Sequence, residues 1–413
     1  MRVLWLSQNL PFPPKTGVLQ RNYNLIRECS RFAEVDLIAI VKQDILPDFD
    51  EARAARELRA LCASVTPVHL PIEGSRAVFL WTVAKSLFTT RPFTANWTDA
   101  PSLHAAVTAA AGRGPYDAVF FDAISLAPFR APLSKWPTAL NHHNIESQLL
   151  ERRLAYETSA ARRLYLGQES RKLRRYEAAV AGTFDTNLVV SALDGERLRQ
   201  IAPGASTHVV ANGVDTEYFR RQQPVSAVEK GHLIMVSGMN WFPNRDAVLL
   251  MADKVWPVLS QALPDARLTI VGASPPQAVL DLAARDARVT VTGFVNDVRP
   301  YMERAQVYLC PMRDGGGTRL KILDALAMGI PIVATQMALE GIEVAAEQEV
   351  LVADEPAEFV NQIVRLVGDQ ALWQRLSDNG RRFVEQHFAW PVIGEHLRTA
   401  FEAAANTRAA RRG

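Results

Sequence analysis

The sequence predicts an α/β protein made of two doubly wound, Rossmann-like domains, each with a parallel sheet between layers of helices. Short apolar runs alternate with longer helical patterns along the chain, which is the order of βαβ units. The runs form two series, separated by a polar stretch that begins at Asn212-Gly213. The 413 residues also exceed the roughly 250–300 at which a single core stops growing. We therefore expect two domains facing a cleft.

The first series of strands is predicted at residues 3–6, 35–41, 118–121, 138–140, 186–190 and 208–210. A Pro/Gly loop follows the first strand, and a helical pattern starts near Gly17. A single long helix is predicted from residue 148 to residue 180. The aromatic-rich segments at residues 79–88 and 93–97 could either help the protein contact a surface or form part of the core, and core is the favoured interpretation.

The second series is predicted at residues 233–237, 267–272, 289–292, 307–310, 331–335 and 350–352. The predicted domains are residues 1–212 and residues 213–390, with a C-terminal helix over residues 391–413 that packs back toward the first domain. In sheets of this kind, ligands bind beyond the carboxyl ends of the strands.

Composition excludes several classes of protein. A net charge of +2 is no signature of a nucleic-acid binder. The three cysteines, Cys29, Cys62 and Cys310, have neither metal-ligand spacing nor a disulfide pattern, which favours a reducing compartment. No stretch approaches the ~18 apolar residues of a membrane span, and the amino-terminal apolar run is too short for a signal peptide. We expect a cytoplasmic protein.

The most informative segment follows the strand that ends at Cys310. Three glycines, Gly315, Gly316 and Gly317, lead through Thr318 into a helical pattern. Glycines let backbone amides approach a ligand closely, and a helix start favours an anion. Arg319 and Lys321 add cationic donors, and Asp324 can accept hydrogen bonds from ribose hydroxyls. A diphosphate joined to a ribose fits this set better than a glycine turn with solvated charges. Neither the Walker A spacing nor G-x-G-x-x-G is present.

This segment resembles the donor site of the retaining glycosyltransferases of family four, which have the GT-B fold. Four further stretches resemble family motifs in the same order: Gly17 ahead of the first helix, Asn141-His142-His143-Asn144-Ile145-Glu146, Val190-Ser191 with Asn212-Gly213-Val214-Asp215, and Gly293-Phe294-Val295-Asn296-Asp297-Val298. Each motif is weak by itself, but their order and spacing together are specific.

The resemblance implies a donor half and an acceptor half. In the second domain Asp324 would hold the ribose, Arg319 and Lys321 would lie at the diphosphate, and Phe294 and Val295 would lie near the base. The remaining donor-binding residues would be Gly315, Gly316, Gly317, Thr318, Gly238 and Asn240. In the first domain His143 would contact the donor sugar or the reaction centre. Gly17, Asn144 and Glu146 would lie on the acceptor side.

Three departures from the family pattern concern the donor site. Gly316 stands where the family has the first glutamate of its motif, and Asp324 replaces the second glutamate. The usual basic pair after the first strand of the second domain is replaced by Ser237-Gly238-Met239-Asn240-Trp241. Arg319 and Lys321, with Asn240 or Arg245 as helpers, would then carry the phosphate charge.

The resemblance implies a retaining glycosyltransferase that moves a sugar from a UDP- or GDP-sugar to a saccharide or lipid-linked acceptor in bacterial surface polysaccharide biosynthesis. No His/Asp/Glu cluster has metal-ligand spacing, so we expect neither metal nor cofactor. Two alternatives stay open: a non-catalytic nucleotide-sugar-binding or scaffold protein, because of Gly316, and a sugar-nucleotide epimerase of the same fold.

A run of basic residues marks the predicted long helix: Arg152, Arg153, Arg162, Arg163, Arg171, Lys172, Arg174 and Arg175. A solvated helix face is the favoured interpretation. The alternative is peripheral contact with anionic lipid headgroups at the inner face of the membrane or with a lipid-diphosphate acceptor.

Overall fold

The computed structural model describes residues 1–42, 45, 49–315 and 317–411, with only the backbone of residues 155 and 156. Gly316, predicted to bind the donor, lies outside the described residues. The chain divides into two compact units, Met1–Ala211 with Ile393–Gly413, and Asn212–Val392. The sequence analysis placed the boundaries after residues 212 and 390.

The first unit contains a parallel sheet in the strand order β3-β2-β1-β4-β5-β6-β7. The strands are β1 (Arg2–Ser7), β2 (Glu34–Val41), β3 (Ser64–His69), β4 (Ala118–Phe121), β5 (Thr138–His142), β6 (Thr186–Val189) and β7 (Thr207–Val209). The helices are α1 (Gly17–Cys29), α2 (Glu51–Arg59), α3 (Pro71–Gly74), α4 (Arg76–Phe88), α5 (Phe93–Trp97), α6 (Pro101–Arg113), α7 (Glu146–Tyr156), α8 (Ala160–Ala181) and α9 (Ala192–Ile201). Apolar side chains of β1, β4 and β5, such as Leu4, Phe121 and Leu140, are buried in its core.

The second unit contains a parallel sheet in the order β10-β9-β8-β11-β12-β13. Its strands are β8 (His232–Val236), β9 (Arg267–Val271), β10 (Val289–Gly293), β11 (Val307–Cys310), β12 (Ile332–Ala334) and β13 (Leu351–Val352). The helices are α10 (Phe242–Leu250), α11 (Trp256–Ala262), α12 (Gln277–Arg285), α13 (Arg299–Glu303), α14 (Leu320–Ala327), α15 (Pro356–Gly368) and α16 (Gln370–His387). The predicted α/β class with two parallel sheets is confirmed.

Most of the last helix, α17 (Trp390–Ala410), belongs to the first unit. Its Phe401 ring lies edge-on to the ring of Phe120 in β4, with 6.2 Å between the ring centroids. The guanidinium of Arg411, beyond the helix end, lies 3.2 Å from the carboxylate of Asp185, which is completely buried. Apolar packing and this ion pair therefore attach the C-terminal segment to the first sheet.

Three sequence predictions about the first unit were wrong. The edge strand β3 was missed, because Pro67 within its short run argues against a strand, although proline is tolerated at a sheet edge. The predicted long helix is two helices, α7 and α8, interrupted at residues 157–159. Part of the aromatic-rich piece is not core: Trp81 is 70% exposed and Phe88 is 91% exposed. Helical periodicity shows that a face is apolar but not whether another element covers it.

Gly272, directly after β9, provides a test of the fold. Its φ is +148°, and a Cβ atom there would lie 1.8 Å from the backbone oxygen of Ser237. We expect Gly272→Ala to lower the free energy of unfolding by about 2 kcal/mol or more, because the backbone of the loop after β8 must move. Chemical denaturation measures this change.

Gly182→Ala is the matched control. Gly182 follows α8 with φ of −69°, and a Cβ atom there meets nothing within 4 Å. Its free energy of unfolding is expected to stay within about 0.5 kcal/mol of wild type. Equal stability of the two variants would show that the close approach at Gly272 is not a constraint.

Candidate functional site

The predicted phosphate-binding loop lies at the carboxyl edge of the second sheet. It follows β11, and α14 begins directly after it. Because β11 pairs with β8 in parallel, the loops that leave these two strands emerge side by side. Gly315 and Gly317 have φ of +128° and +71°, a region that only glycine enters without strain. The sequence therefore needs glycine at both positions to make this turn.

Lys321 connects the two loops. Its ammonium donates to the hydroxyl of Ser237 at 2.8 Å and to the side-chain oxygen of Asn244 at 2.6 Å. The amide of Asn244 in turn donates to the backbone oxygen of Gly238 at 2.9 Å. Burial lowers the pKa of Lys321. The structure thus brings together Lys321 and Gly238, and the side-chain oxygen of Asn240 also lies beside Gly238.

Arg319 precedes α14 at its N-cap position, and the residue is only 4% exposed. Its guanidinium donates to the backbone oxygen of Gly317 and, at 3.4 Å, to that of Met337. Thr318 beside it is also buried. Arg319 therefore braces the glycine loop from within, a role that sequence reasoning did not assign to it.

Asp324 lies one turn into α14, on a partly accessible position. Burial raises the pKa of its carboxyl to about 8, and the charge of Lys321 only partly opposes this. A large share of this carboxyl is therefore protonated at neutral pH in the ligand-free protein. Because the pKa of this carboxyl lies near neutral pH, the carboxyl can lose its proton when hydroxyl groups of a ligand donate hydrogen bonds to it.

Phe294 and Val295 follow β10 at the same edge of the sheet. Phe294 is 69% exposed, so its ring is available to a ligand. Two strands, β9 and β8, separate β10 from β11. The structure therefore places these two residues at the same edge of the sheet as the glycine loop, two strands away from it.

In the first unit, the ring of His143 contacts a carboxylate that sequence analysis did not select. His143 directly follows β5, and its Nε2 lies 2.8 Å from a carboxylate oxygen of Asp122. Asp122 directly follows the neighbouring strand β4 and is completely buried. Burial by itself would raise the pKa of Asp122, but the interaction with His143 and hydrogen bonds from Asn22 and Gln8 bring that pKa below its usual value.

The helix that begins at Gly17 is attached to this pair. The side-chain amide of Asn22 donates to Asp122 at 2.6 Å. The buried guanidinium of Arg21 donates to the side-chain oxygen of Asn141 at 2.8 Å, and to the backbone oxygens of Val210 and Ala211. Gly17 itself is the exposed first residue of α1. Arg21 and Asn22 are thus functional-site candidates that the glycine motif did not reveal.

Glu146 and Lys42 form the outer part of the same region. Glu146 is the first residue of α7, and the hydroxyl of Thr94 donates to its carboxylate at 3.4 Å. Burial raises the pKa of Glu146, while His143 and Lys42 act in the opposite direction. Burial lowers the pKa of Lys42, and its ammonium lies 4.1 Å from the ring centroid of Trp97. Asn144, predicted for the acceptor side, is partly exposed.

His142 and His143 occupy different environments. His142 is the last residue of β5, and its Nε2 lies 3.0 Å from the side-chain oxygen of buried Asn187. Burial lowers the pKa of His142 to about 4, so it stays neutral at physiological pH. His142 is a core residue, and only His143 pairs with a carboxylate at the sheet edge.

A simple sequence signal would have found both missed titratable residues. Asp122 and Lys42 are the first residues after the buried strands β4 and β2. In a parallel sheet such positions lie at the ligand-binding edge. The signal was available at Asp122 because residues 118–121 were already predicted as a strand.

The described residues contain no group of three or more His, Cys, Asp or Glu side chains arranged to hold a metal ion. Within the same residues, no helix combines the length and apolar character needed to cross a membrane.

Comparisons with known proteins agree with this geometry. Residues 230–369 match the family described as Glycosyl transferases group 1. A phosphatidyl-myo-inositol mannosyltransferase of Mycobacterium tuberculosis (strain CDC 1551 / Oshkosh) is 24% identical over 264 residues, which is 62% of this chain and 68% of that protein. The matched family region contains the glycine loop, Lys321 and Asp324.

Two solved structures show the same fold over nearly the whole chain. Sucrose-phosphate synthase from Thermosynechococcus elongatus superposes with a TM-score of 0.69 at 16% identity, covering 97% of this chain and 98% of that one. Anabaena Alr3699/HepE in complex with UDP gives a TM-score of 0.65 at 16% identity, covering 98% and 100%. The group 1 region and the mannosyltransferase relative support a glycosyltransferase, and the two solved structures show the two-domain α/β fold that the resemblance to family four predicted.

Proposed function

We propose that this glycosyltransferase transfers a sugar from a UDP- or GDP-sugar to a saccharide or lipid-linked acceptor, with retention of configuration and without a metal ion. The observation that carries the proposal is the glycine loop after β11, braced by Arg319 and connected through Lys321 to the loop after β8. The complexes of Anabaena HepE with UDP and with UDP-glucose support a nucleotide-sugar donor.

The donor's diphosphate would be bound by the glycine loop and Lys321. Both hydrogen-bond partners of Lys321, Ser237 and Asn244, are uncharged, so neither of them would compete with an anion for the charge of the ammonium. Preorganised donors of this kind stabilise charge that develops on a leaving diphosphate, which is often the largest part of catalysis. In a retaining reaction the departing phosphate would also take the acceptor proton.

The missing motif glutamate at position 316 would be replaced by backbone amides of the loop. Asp314 accepts a hydrogen bond from the backbone nitrogen of Gly315 at 2.7 Å, which holds the start of the loop in place. The sugar hydroxyls would then contact amides near Gly317 and Thr318.

The alternative function, a nucleotide-sugar-binding protein without activity, predicts a different result. Such a protein would bind the donor but transfer no sugar to any acceptor.

The first unit would hold the acceptor and the reacting sugar. Asp122 orients His143 and keeps one of its ring nitrogens directed at the carboxylate. Glu146, Asn144 and Gly17 would contribute to the acceptor side. The mannosyltransferase relative, whose name specifies a phosphatidyl-myo-inositol acceptor, favours a lipid-linked acceptor. Surface polysaccharide assembly on the cytoplasmic face of the membrane would suit such a substrate.

Asp324→Asn tests the donor site. Ribose hydroxyls that donate to Asp324 favour its ionised form, so donor binding below about pH 8 releases a proton. We expect wild-type donor affinity to rise with pH up to about 8. In Asp324→Asn the affinity falls roughly tenfold to a hundredfold, because a charge-assisted hydrogen bond is lost, and the pH dependence disappears. Calorimetric titration with UDP- and GDP-sugars measures both effects.

The pH dependence of the stability of the ligand-free protein is a second measure of the pKa of Asp324. Its native pKa of about 8 lies above the ordinary 3.8, so the native state holds the proton more tightly between these pH values. The stabilising contribution is complete below about pH 4 and is lost as pH rises toward 8. Asp253→Asn, at an exposed position of the same unit, is the control. Wild-type affinity in Asp324→Asn would contradict the assignment.

Substitutions of the Asp122–His143 pair test the first unit. We expect Asp122→Asn and His143→Ala each to lower kcat by roughly tenfold to a hundredfold, because each removes the same charge-assisted hydrogen bond. The double variant is expected to be no slower than the worse single variant, since the two residues act as one unit. Steady-state kinetics with donor and acceptor measures this, and thermal unfolding shows that each variant is folded.

His104→Ala is the matched control, because His104 also lies 3.0 Å from a carboxylate, that of Asp99, but on an exposed surface. It should retain wild-type kinetics. Strictly additive losses for Asp122→Asn and His143→Ala would show that Asp122 does not act through His143.

A further inference from the structure

Helix α4 exposes apolar residues and buries polar ones. The buried residues of this helix are Thr82 and Ser86. Their hydroxyls donate at 2.8 Å to backbone oxygens one turn earlier, of Val78 and Thr82 respectively, so they can be buried without losing a hydrogen bond. This arrangement is the reverse of a helix whose outer face contacts water.

The outer side of α4 carries large apolar side chains, which we call the α4 face. Its members are Phe79, Leu80, Trp81, Leu87 and Phe88, with exposed fractions of 44%, 56%, 70%, 37% and 91%. A contiguous exposed apolar surface of this kind marks a place where a protein contacts something other than water. Tryptophan and phenylalanine are the residues that interfacial helices insert between lipid headgroups.

The end of α4 packs on α8. The side-chain amide of Gln168 donates to the backbone oxygen of Leu87 at 2.8 Å, and the ammonium of Lys172 donates to that of Ser86. Leu164, 77% exposed, is one turn before Gln168 on the same side of α8. The apolar surface of α4 therefore continues onto α8 at Leu164.

The exposed charge of α8 has one sign. Every charged residue of this helix that the structure describes as exposed is an arginine: Arg162, Arg163, Arg171, Arg174 and Arg175. Its two acids, Glu169 and Glu177, are buried. Arg171 and Arg175 follow Leu164 and Gln168 at positions i+7 and i+11 of the same side. An apolar surface thus lies directly beside a row of cations.

We infer that the α4 face and the arginines of α8 dock this unit on an anionic lipid bilayer, with Trp81 and Phe88 among the acyl chains and Arg171 and Arg175 at the headgroup phosphates. Charge complementarity selects this occupant. A symmetric contact with a second copy through this surface would offer the arginines no acid of α8, because Glu169 and Glu177 are buried. The inference goes beyond the proposed function, since it requires neither donor nor acceptor.

Vesicle co-sedimentation of the full-length chain tests the inference. We expect the protein to sediment with vesicles of phosphatidylcholine mixed with phosphatidylglycerol but not with phosphatidylcholine alone. Added salt should weaken the binding, because it screens the arginines. The double variants W81S/F88S and R171Q/R175Q should each lower the partition coefficient by roughly tenfold or more.

Matched controls come from the other unit. V225S/V258S removes two apolar side chains that are 47% and 54% exposed, and R285Q/R382Q removes two exposed arginines. Both should sediment like wild type. Unchanged donor affinity in all four double variants shows that each is folded.

Three results would overturn the inference. Wild-type protein could stay in the supernatant with anionic vesicles, or W81S/F88S could bind them as wild type does. Alternatively, light scattering could show a wild-type dimer that W81S/F88S dissociates, with no vesicle binding. The last result would identify the α4 face as an interface between copies.

Discussion

The parallel direction of the strands in both sheets is the constraint on which the candidate sites depend. In a parallel sheet, all strand carboxyl ends meet at one edge, so loops far apart in sequence become neighbours there. In the second unit this edge joins the glycine loop after β11 to the loop after β8. In the first unit it joins Asp122 after β4 to His143 after β5. Each site therefore consists of short segments positioned by a buried sheet.

The pKa values of the two carboxylates, Asp122 in the first unit and Asp324 in the second, are shifted in opposite directions. Asp122 is completely buried but accepts hydrogen bonds from Asn22 and Gln8 and pairs with His143, so its pKa falls. At Asp324, burial outweighs the attraction of Lys321, and the pKa rises to about 8. The first carboxylate is a permanent charge that orients a histidine. The second is prepared to ionise when a ligand supplies hydrogen-bond donors.

The third feature that needs a physical explanation is the α4 face, which is apolar although it is exposed. Removing apolar surface from water is favourable. Trp81 and Phe88 therefore remain exposed at a cost in free energy unless a partner covers them. The exposed charges of the adjacent α8 are arginines, which specifies a negatively charged partner. A lipid surface would satisfy both features and would bring a lipid-linked acceptor to the same unit.

The sequence by itself determined the two-sheet architecture, the order of every described strand except β3, and the glycine loop, because these follow from hydrophobic periodicity and from backbone conformations that only glycine adopts. It missed β3, where Pro67 in an edge strand contradicts local propensity. Only the tertiary structure decided which side chains meet. Lys321 bonds to Ser237 and Asn244, 84 and 77 residues away, and His143 pairs with Asp122, 21 residues away. It also decided that α4 is exposed, because a pattern records which face is apolar, whereas packing determines whether that face is covered.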